Sequence, residues 1–319
     1  MSAFAGLRQR VVLLEPIHAD GVDILRADAD TILLSGAGDA EALAAADAVI
    51  VRSRPYGEAE MDKSPGLRVI GRHGVGVDNI DLDAAERRGI AIVNTPRSNT
   101  ESVAEYAIAI VMMCVKRLVD GQALLTSGGM PPGEGSLPAQ VVRHGLVGRE
   151  ISGMRLGLAG YGAIGRAVAR RALALGMIVT AYDPFVPGEA IREGGVVPVE
   201  SLDELLFGSE VVSLHLPGDP SGAALFGARE LSLLPDGALL VNAARGSLID
   251  ADALVAEVAS GRIRAAIDVY DPEPPSVDSG LFRTPGILTT PHQAAMTEEA
   301  LRAMAVDVAR AVLNALLVR

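Results

Sequence analysis

Residues 155–176 read RLGLAGYGAIGRAVARRALALG. The apolar run RLGLAG has the character of a buried strand, AIGRAVARRALALG carries apolar residues at helical spacing, and the glycines of GYGAIG stand between them. On its own GxGxxG is a common pattern; a strand before it and a helix after it are what a dinucleotide-binding turn requires. Gly160 makes the tight turn, Gly162 lets the backbone approach a pyrophosphate, and Gly165 lets helix and strand pack closely. The phosphates then lie on the amide groups that open the helix. Asp183 closes the next strand, TAYD, 18 residues after Gly165. An acid there accepts hydrogen bonds from ribose hydroxyls and repels a 2′-phosphate, so the expected cofactor is NAD rather than NADP. A Gly-rich packing turn followed by an Asp that opens the loop DPF is the plainer alternative.

The same alternation of short apolar runs and helical patterns extends through almost all 319 residues, the signature of parallel sheets built from βαβ units. Upstream, strands are expected at 11–15 (VVLLE), 31–35 (TILLS), 48–52 (AVIVR), 67–71 (LRVIG) and 90–94 (IAIVN). A helix is expected from near Asn99 through EYAIAIVMMCVKRL, followed by a loop or crossing segment at 126–140 that Gly and Pro interrupt. A second series follows at 154–160, 177–183, 211–216, 238–244, 263–269 and 286–290, before the closing helix TEEALRAMAVDVARAVLNALL. The expected architecture is α/β, two doubly wound parallel-sheet domains, Rossmann- and flavodoxin-like, with a cleft between them. The last helix is free to return to the first sheet.

Composition narrows the function. With 40 acidic residues against 28 Lys and Arg the net charge is −12, whereas nucleic acid and anionic membranes are held by an excess of Lys and Arg. Aromatic residues make up 3% and Trp is absent, so an aromatic platform for bases is not expected. The single cysteine, Cys114, sits in the apolar run AIAIVMMCV, where a buried, inert thiol is expected. It supports neither a disulfide framework nor paired zinc ligands. No stretch of 18 uncharged apolar residues and no signal-like leader is present, so a soluble cytoplasmic protein without a membrane span is expected.

Ligands of open α/β sheets bind beyond the carboxyl ends of the strands. Arg52, Arg72, Arg97 and Arg245 each follow such a strand, a local concentration of positive charge in an acidic chain. Arg245 stands among Ala243, Ala244 and Gly246, which leave room for a ligand. Its guanidinium can grip a carboxylate with two hydrogen bonds and polarise an adjacent carbonyl. GRHGVGVDN (71–79) has Asn79 where a dinucleotide turn needs its third glycine, so it fails as a cofactor fingerprint. Its Gly-rich turn can still present bare amides to a smaller anion such as a carboxylate. In TPHQAAM (290–296), His292 is a candidate acid–base group, and such a group needs a carboxylate to orient its ring and raise its pKa. DVYDPEPP (268–275) offers Asp268, Asp271 and Glu273; Glu273 lies between two prolines, whose stiff backbone can aim its side chain. Periodicity does not choose among the three, and a Pro-rich surface loop with solvated acids reads the same.

The segments GRHGVGVDNIDLDAAERRGI, NTPRSNTESVAEYAI, LGLAGYGAIGRAVA, VNAARGSLID, AIDVYDPEP and TTPHQAAMTEEA, in that order from about Gly71 to Ala300, resemble the D-isomer-specific 2-hydroxyacid dehydrogenase family. Their pattern is similar to that of the D-3-phosphoglycerate dehydrogenases. The resemblance implies an NAD-dependent enzyme that passes hydride between nicotinamide and C2 of a D-2-hydroxy or 2-oxo acid. Arg245, Glu273 and His292 match the family's catalytic Arg, Glu and His: Arg245 for the substrate carboxylate and C2 oxygen, His292 for its proton, Glu273 to hold the imidazole. The turn Gly74-Val75-Gly76 and the Arg52-Ser53 loop are implied to bind the substrate. Ala163 and Ile164 are implied to meet the pyrophosphate, Asp268 and the Ala243 carbonyl the carboxamide, with Leu216 and His292 also against the cofactor. The resemblance further implies a discontinuous substrate-binding domain, 1–99 plus 291–319, and an NAD-binding Rossmann domain, 100–290. It implies a homodimer to which the helix after Asn99 and the following loop contribute.

Gln293-Ala294-Ala295 follows the histidine where many relatives are Gly-rich, and 126–145 lacks the Trp often found there. No regulatory C-terminal domain is expected after the last helix, nor feedback by serine through one. Arg52, Arg72 and Arg97 favour a substrate with a second anionic group, phospho or sulfo, such as 3-phosphoglycerate. Alternatives on the same scaffold are a hydroxypyruvate or glyoxylate reductase and a formate or phosphite dehydrogenase, although formate dehydrogenases carry Gln at the position of Glu273. A non-enzymatic NAD-sensing protein similar to the C-terminal-binding corepressors is the alternative from a different class.

Overall fold

The computed structural model describes residues 8–28, 30–35, 39–219 and 221–318. The chain divides into two compact units, Met1–Ser102 with Ala295–Arg319, and Val103–Ala294. His292 falls in the second unit, because the segment around it is hydrogen-bonded to Asp268 of that unit.

The first unit holds strands β1 (Gln9–Leu13), β2 (Thr31–Ser35), β3 (Ala48–Val51), β4 (Val69–Arg72) and β5 (Ala91–Val93). They form one parallel sheet in the order β2-β1-β3-β4-β5. Runs such as AVIV are apolar at every position because both faces are covered. On one face Val11, Ile50 and Val69 pack with Val308, Ala309 and Val312 of the closing helix Glu298–Leu317; on the other Val49, Val51 and Ile70 pack with Leu43, Met61 and Ala84. Gly71 is glycine because a Cβ there would lie 2.5 Å from a Val312 methyl. The last helix thus completes the core of the first sheet.

The second unit holds β6 (Arg155–Ala159), β7 (Ile178–Tyr182), β8 (Val197–Pro198), β9 (Val211–Leu214), β10 (Leu239–Asn242), β11 (Arg264–Ile267) and β12 (Ile287–Thr289). This sheet too is parallel, in the order β12-β11-β10-β9-β6-β7-β8. Each sheet is doubly wound and reverses its strand order once, between β1 and β3 in the first and between β6 and β9 in the second. Those reversals open crevices at the strands' carboxyl ends.

Three local features depart from expectation. β8 is an added edge strand of two residues, one of them a proline, as only an edge tolerates. The helix after Asn99 runs from Thr100 to Val115 and then breaks: Arg117 adopts a left-handed φ of 55° before a new helix, Leu118–Thr126. The segment expected as a loop contains the start of a third helix, Leu137–Arg143, capped by Ser136 with Pro138 in its first turn. Among the described residues no helix is long and apolar enough to cross a membrane.

Candidate active site

Because the second sheet is wholly parallel, its strands' carboxyl ends share one edge. Gly160 follows β6 there, Asp183 follows β7, Leu216 lies past β9, Ala243 and Arg245 follow β10, Asp268 follows β11, and His292 lies past β12.

The glycine turn is built for close approach. Gly160 has φ 98°, and a Cβ on it would lie 2.4 Å from the His215 carbonyl oxygen. A Cβ on Gly165 would lie 2.3 Å from the Gly160 carbonyl oxygen, so glycine lets the helix Ala163–Ala174 open directly against the turn. At Gly162, the residue capping that helix, a Cβ would meet no protein atom within 4 Å. The space over the helix N-terminus is therefore clear where the amides of Ala163, Ile164 and Gly165 lack helical acceptors. These features fit a dinucleotide's pyrophosphate. Asp183 accepts from the Tyr161 amide (2.8 Å) and the Phe185 amide (2.9 Å), which braces the turn and leaves each oxygen a lone pair for a ribose hydroxyl. Leu216 lies over Gly160, its methyl 3.1 Å from the Cβ position.

The β10 loop is shaped by Asn242, which is fully buried. Its Nδ2 donates to the Arg245 carbonyl (2.8 Å) and its Oδ1 accepts from the Ala244 amide (3.0 Å), fixing the backbone that carries Ala243 and Arg245. Gly246 admits no side chain, because a Cβ would overlap the Tyr270 carbonyl. The Arg245 guanidinium donates to the Ala244 carbonyl (2.6 Å).

His292 Nδ1 lies 2.8 Å from Glu273 Oε1, and both side chains are substantially exposed. An ionised carboxylate only accepts, so Nδ1 carries the hydrogen of this bond and Nε2 is left for a ligand. His292 itself has φ 52°, a left-handed conformation that a residue with a Cβ adopts only when its surroundings impose it. Asp268, 1% exposed, imposes it from both sides. Its Oδ1 accepts from the Thr290 hydroxyl (2.6 Å) and the Gln293 amide (2.9 Å), and its Oδ2 from the Ala294 amide (2.9 Å). The Thr290 hydroxyl accepts in turn from Tyr106 (2.5 Å), whose phenol is pushed well above its ordinary range by burial and by the charge of Asp268. Gln293 keeps its side chain exposed.

In the first unit, Arg52 and Ser53 follow β3 and the turn Gly74-Val75-Gly76 follows β4. Gly74 has φ 146°. Asn94 donates to the Val75 carbonyl (2.7 Å) and the Thr95 amide to the Gly74 carbonyl (3.0 Å), so the turn is held by its carbonyls. The amides of Val75 and Gly76 donate to no protein acceptor among the described residues. Arg72 is turned back on its own turn, donating to Asn79 (3.2 Å) and to the His73 carbonyl. Arg97 is exposed. Arg52 donates to the Met296 sulfur (3.3 Å). Glu15, Asn242, Thr290 and Tyr106 escaped the sequence reading, although Glu15 stands at the carboxyl end of an expected strand, where a charge after an apolar run was the available signal.

Comparison with known proteins accords with this geometry. Residues 108–294 match the D-isomer specific 2-hydroxyacid dehydrogenase, NAD binding domain. D-3-phosphoglycerate dehydrogenase of Archaeoglobus fulgidus is 36% identical over 311 residues, 96% of this chain and 57% of that protein. The chain thus spans little more than half the length of that relative. Two crystal structures are similar throughout: the TT0316 protein of Thermus thermophilus, 32% identical with a TM-score of 0.82 over 98% of both chains, and D-lactate dehydrogenase of Aquifex aeolicus complexed with NAD and lactic acid. The latter is 28% identical with a TM-score of 0.82, over 97% of this chain and 95% of that one.

Proposed function

Because this chain belongs to the D-isomer specific 2-hydroxyacid dehydrogenase family, we propose that it is an NAD-dependent oxidoreductase interconverting a D-2-hydroxy acid and its 2-oxo acid. The observation that carries this reading is the Glu273–His292 pair on the same sheet edge as the glycine turn. The cofactor, when bound, supplies or accepts the hydride at the substrate's C2. His292 exchanges a proton with the C2 oxygen through Nε2. Glu273 holds the ring by accepting from Nδ1. Arg245 grips the substrate carboxylate and stabilises charge on the C2 oxygen. Gly160, Gly162, Ala163, Ile164 and Gly165 receive the pyrophosphate, and Asp183 the ribose hydroxyls. Leu216, Ala243, Asp268 and His292 line the rest of the cofactor site. In the first unit, Arg52 of the Arg52-Ser53 loop and the Val75 and Gly76 amides of the Gly74-Val75-Gly76 turn bind the substrate's anionic groups.

A phospho-substituted substrate such as 3-phosphoglycerate is the preferred class, supported by the name of the Archaeoglobus relative and by Arg52 beside a turn with open amides. A spectrophotometric panel with NADH and NADPH tests this. Phosphohydroxypyruvate should exceed hydroxypyruvate, glyoxylate and pyruvate in kcat/KM, with NADH preferred. A higher kcat/KM for the uncharged-tail acids removes the phospho assignment, and no turnover of any 2-oxo acid removes the enzyme assignment. In the His292→Ala variant kcat should fall about 10³-fold while NADH binding persists.

The assembly belonging to this reading is a homodimer in the cytoplasm. Leu118, Leu125, Leu137 and Val142 are exposed, and the helix Leu118–Thr126 buries no residue within the chain. A monomeric mass by light scattering would remove the dimer.

A further inference from the structure

The first unit's crevice, between the ends of β1 and β3, is filled by a carboxylate of the chain itself. Glu15 lies just past β1, and its Oε2 accepts from the amides of Arg52 (2.6 Å), Ser53 (2.9 Å) and Arg54 (3.3 Å). Its Oε1 accepts from the Ser53 amide (3.1 Å) and the Ser53 hydroxyl (2.6 Å). Three successive amides turned to one point form a concavity of the kind that binds phosphate or carboxylate ligands. Here the anion is internal. The loop is also gripped from its other side, where Asn79 donates to the Arg54 carbonyl (2.8 Å).

We propose that Glu15 is a positioning residue, the permanent anion of the Arg52–Arg54 amide nest, which holds the loop so that the Arg52 guanidinium, rather than the loop's amides or the Ser53 hydroxyl, meets the substrate. This rests on the function proposed above and deepens it. The Ser53 hydrogen is given to Glu15 and is not available to a substrate anion. The neighbouring turn, by contrast, keeps the amides of Val75 and Gly76 without a protein acceptor among the described residues. Burial works to raise the Glu15 pKa, but the bonds from the Ser53 hydroxyl and the three amides outweigh it and hold the group below the ordinary range of Glu. It therefore stays an acceptor across the neutral range.

Glu15→Gln and Glu15→Ala distinguish this role. A glutamine amide cannot accept from donors converging on both oxygens, because one oxygen is replaced by an NH2 group. Losing a charge-assisted acceptor here should raise KM for the best 2-oxo acid about tenfold in either variant. Expected alongside are kcat within about twofold and an unchanged NADH Kd, because the loop lies in the unit without the glycine turn. Formate is the second probe. It should fit the nest emptied in Glu15→Ala, raise that variant's Tm and bring KM back toward wild type, with no such effect on Glu15→Gln or wild type. Turnover by wild type with neither a KM change nor a formate effect in Glu15→Ala overturns the anchor and leaves the enzyme reading standing. A formate-dependent Tm rise confined to Glu15→Ala, without turnover of any 2-oxo acid by wild type, keeps the anchored nest and overturns the enzyme reading.

Discussion

At the reversal between β6 and β9 the chain withdraws its side chains: Gly160 presses against the His215 carbonyl and Gly162 faces clear space. At the reversal between β1 and β3 the chain inserts one, and the Glu15 carboxylate takes up the amides of Arg52, Ser53 and Arg54. Both sheets are parallel and wound on the same plan. The same winding yields a crevice in each case, so topology offers the location of a site while the residues at the strand ends decide whether a ligand or the protein fills it. The two units also each place a histidine past a strand end, His73 buried and His215 half-buried, and again differ. His215 shares a hydrogen bond with Ser213 (3.0 Å), whereas neither ring nitrogen of His73 has a partner among the described residues.

The harshest break of this comparison is Gly160→Val. A branched side chain at a positive φ, driven into the His215 carbonyl, should cost about 4 kcal/mol of stability and abolish NADH binding. Fluorescence titration with NADH and a urea melt check both effects; a variant that still binds NADH tightly would show the crevice does not depend on that glycine.

Acid titration sharpens the contrast between the histidines. Burial lowers both pKa values to about 4 from 6.5, with Arg52 adding to the effect at His73. The unfolded chain takes up these protons first, so their contribution to stability is complete above about pH 6.5 and is lost as pH falls toward 4. Each amounts to something on the order of 3 kcal/mol across that window. His73→Phe should flatten the fall in urea-melt stability between pH 7 and 4. An unchanged slope would mean His73 does not titrate with unfolding.

Gly162→Ala tests the clear space from the opposite direction to Gly160→Val. No protein atom opposes its Cβ, so Tm should hold while the Kd for NADH rises about tenfold through contact with the phosphates. In the first unit Asn94→Ala should have the mildest outcome. Releasing the Val75 carbonyl should cost about 1 kcal/mol and raise substrate KM a few-fold at unchanged NADH affinity. A rise in the NADH Kd would instead assign that turn to the cofactor.

Much of this was legible in the chain. Apolar runs such as AVIV and VVSL mark strands because both sheets are covered on both faces, and the glycine turn is readable because its chemistry is local. The strand ends were less sharp: Gly160, Asp183 and Asp268 continue the runs before them but sit past the last paired residue. The break at Arg117 carries no glycine or proline to announce it. Glu15 was illegible for a different reason, since its partners lie 37 to 39 residues away and meet it only once β1 and β3 are neighbours. The Asp268–Thr290–Tyr106 connection likewise joins three elements far apart in sequence.

The return of the helix Glu298–Leu317 to the first sheet bears on how the molecule is made. Val308, Ala309 and Val312 cover Val11, Ile50 and Val69 beside Leu25 of the helix Ala19–Ala27, so a ribosome that has delivered the first hundred residues has delivered a sheet with part of one apolar face bare. That part stays open while the whole of the second unit emerges, which can fold from a continuous stretch of chain. Synthesis therefore finishes the later unit before the earlier one, whose opening strands await the closing helix.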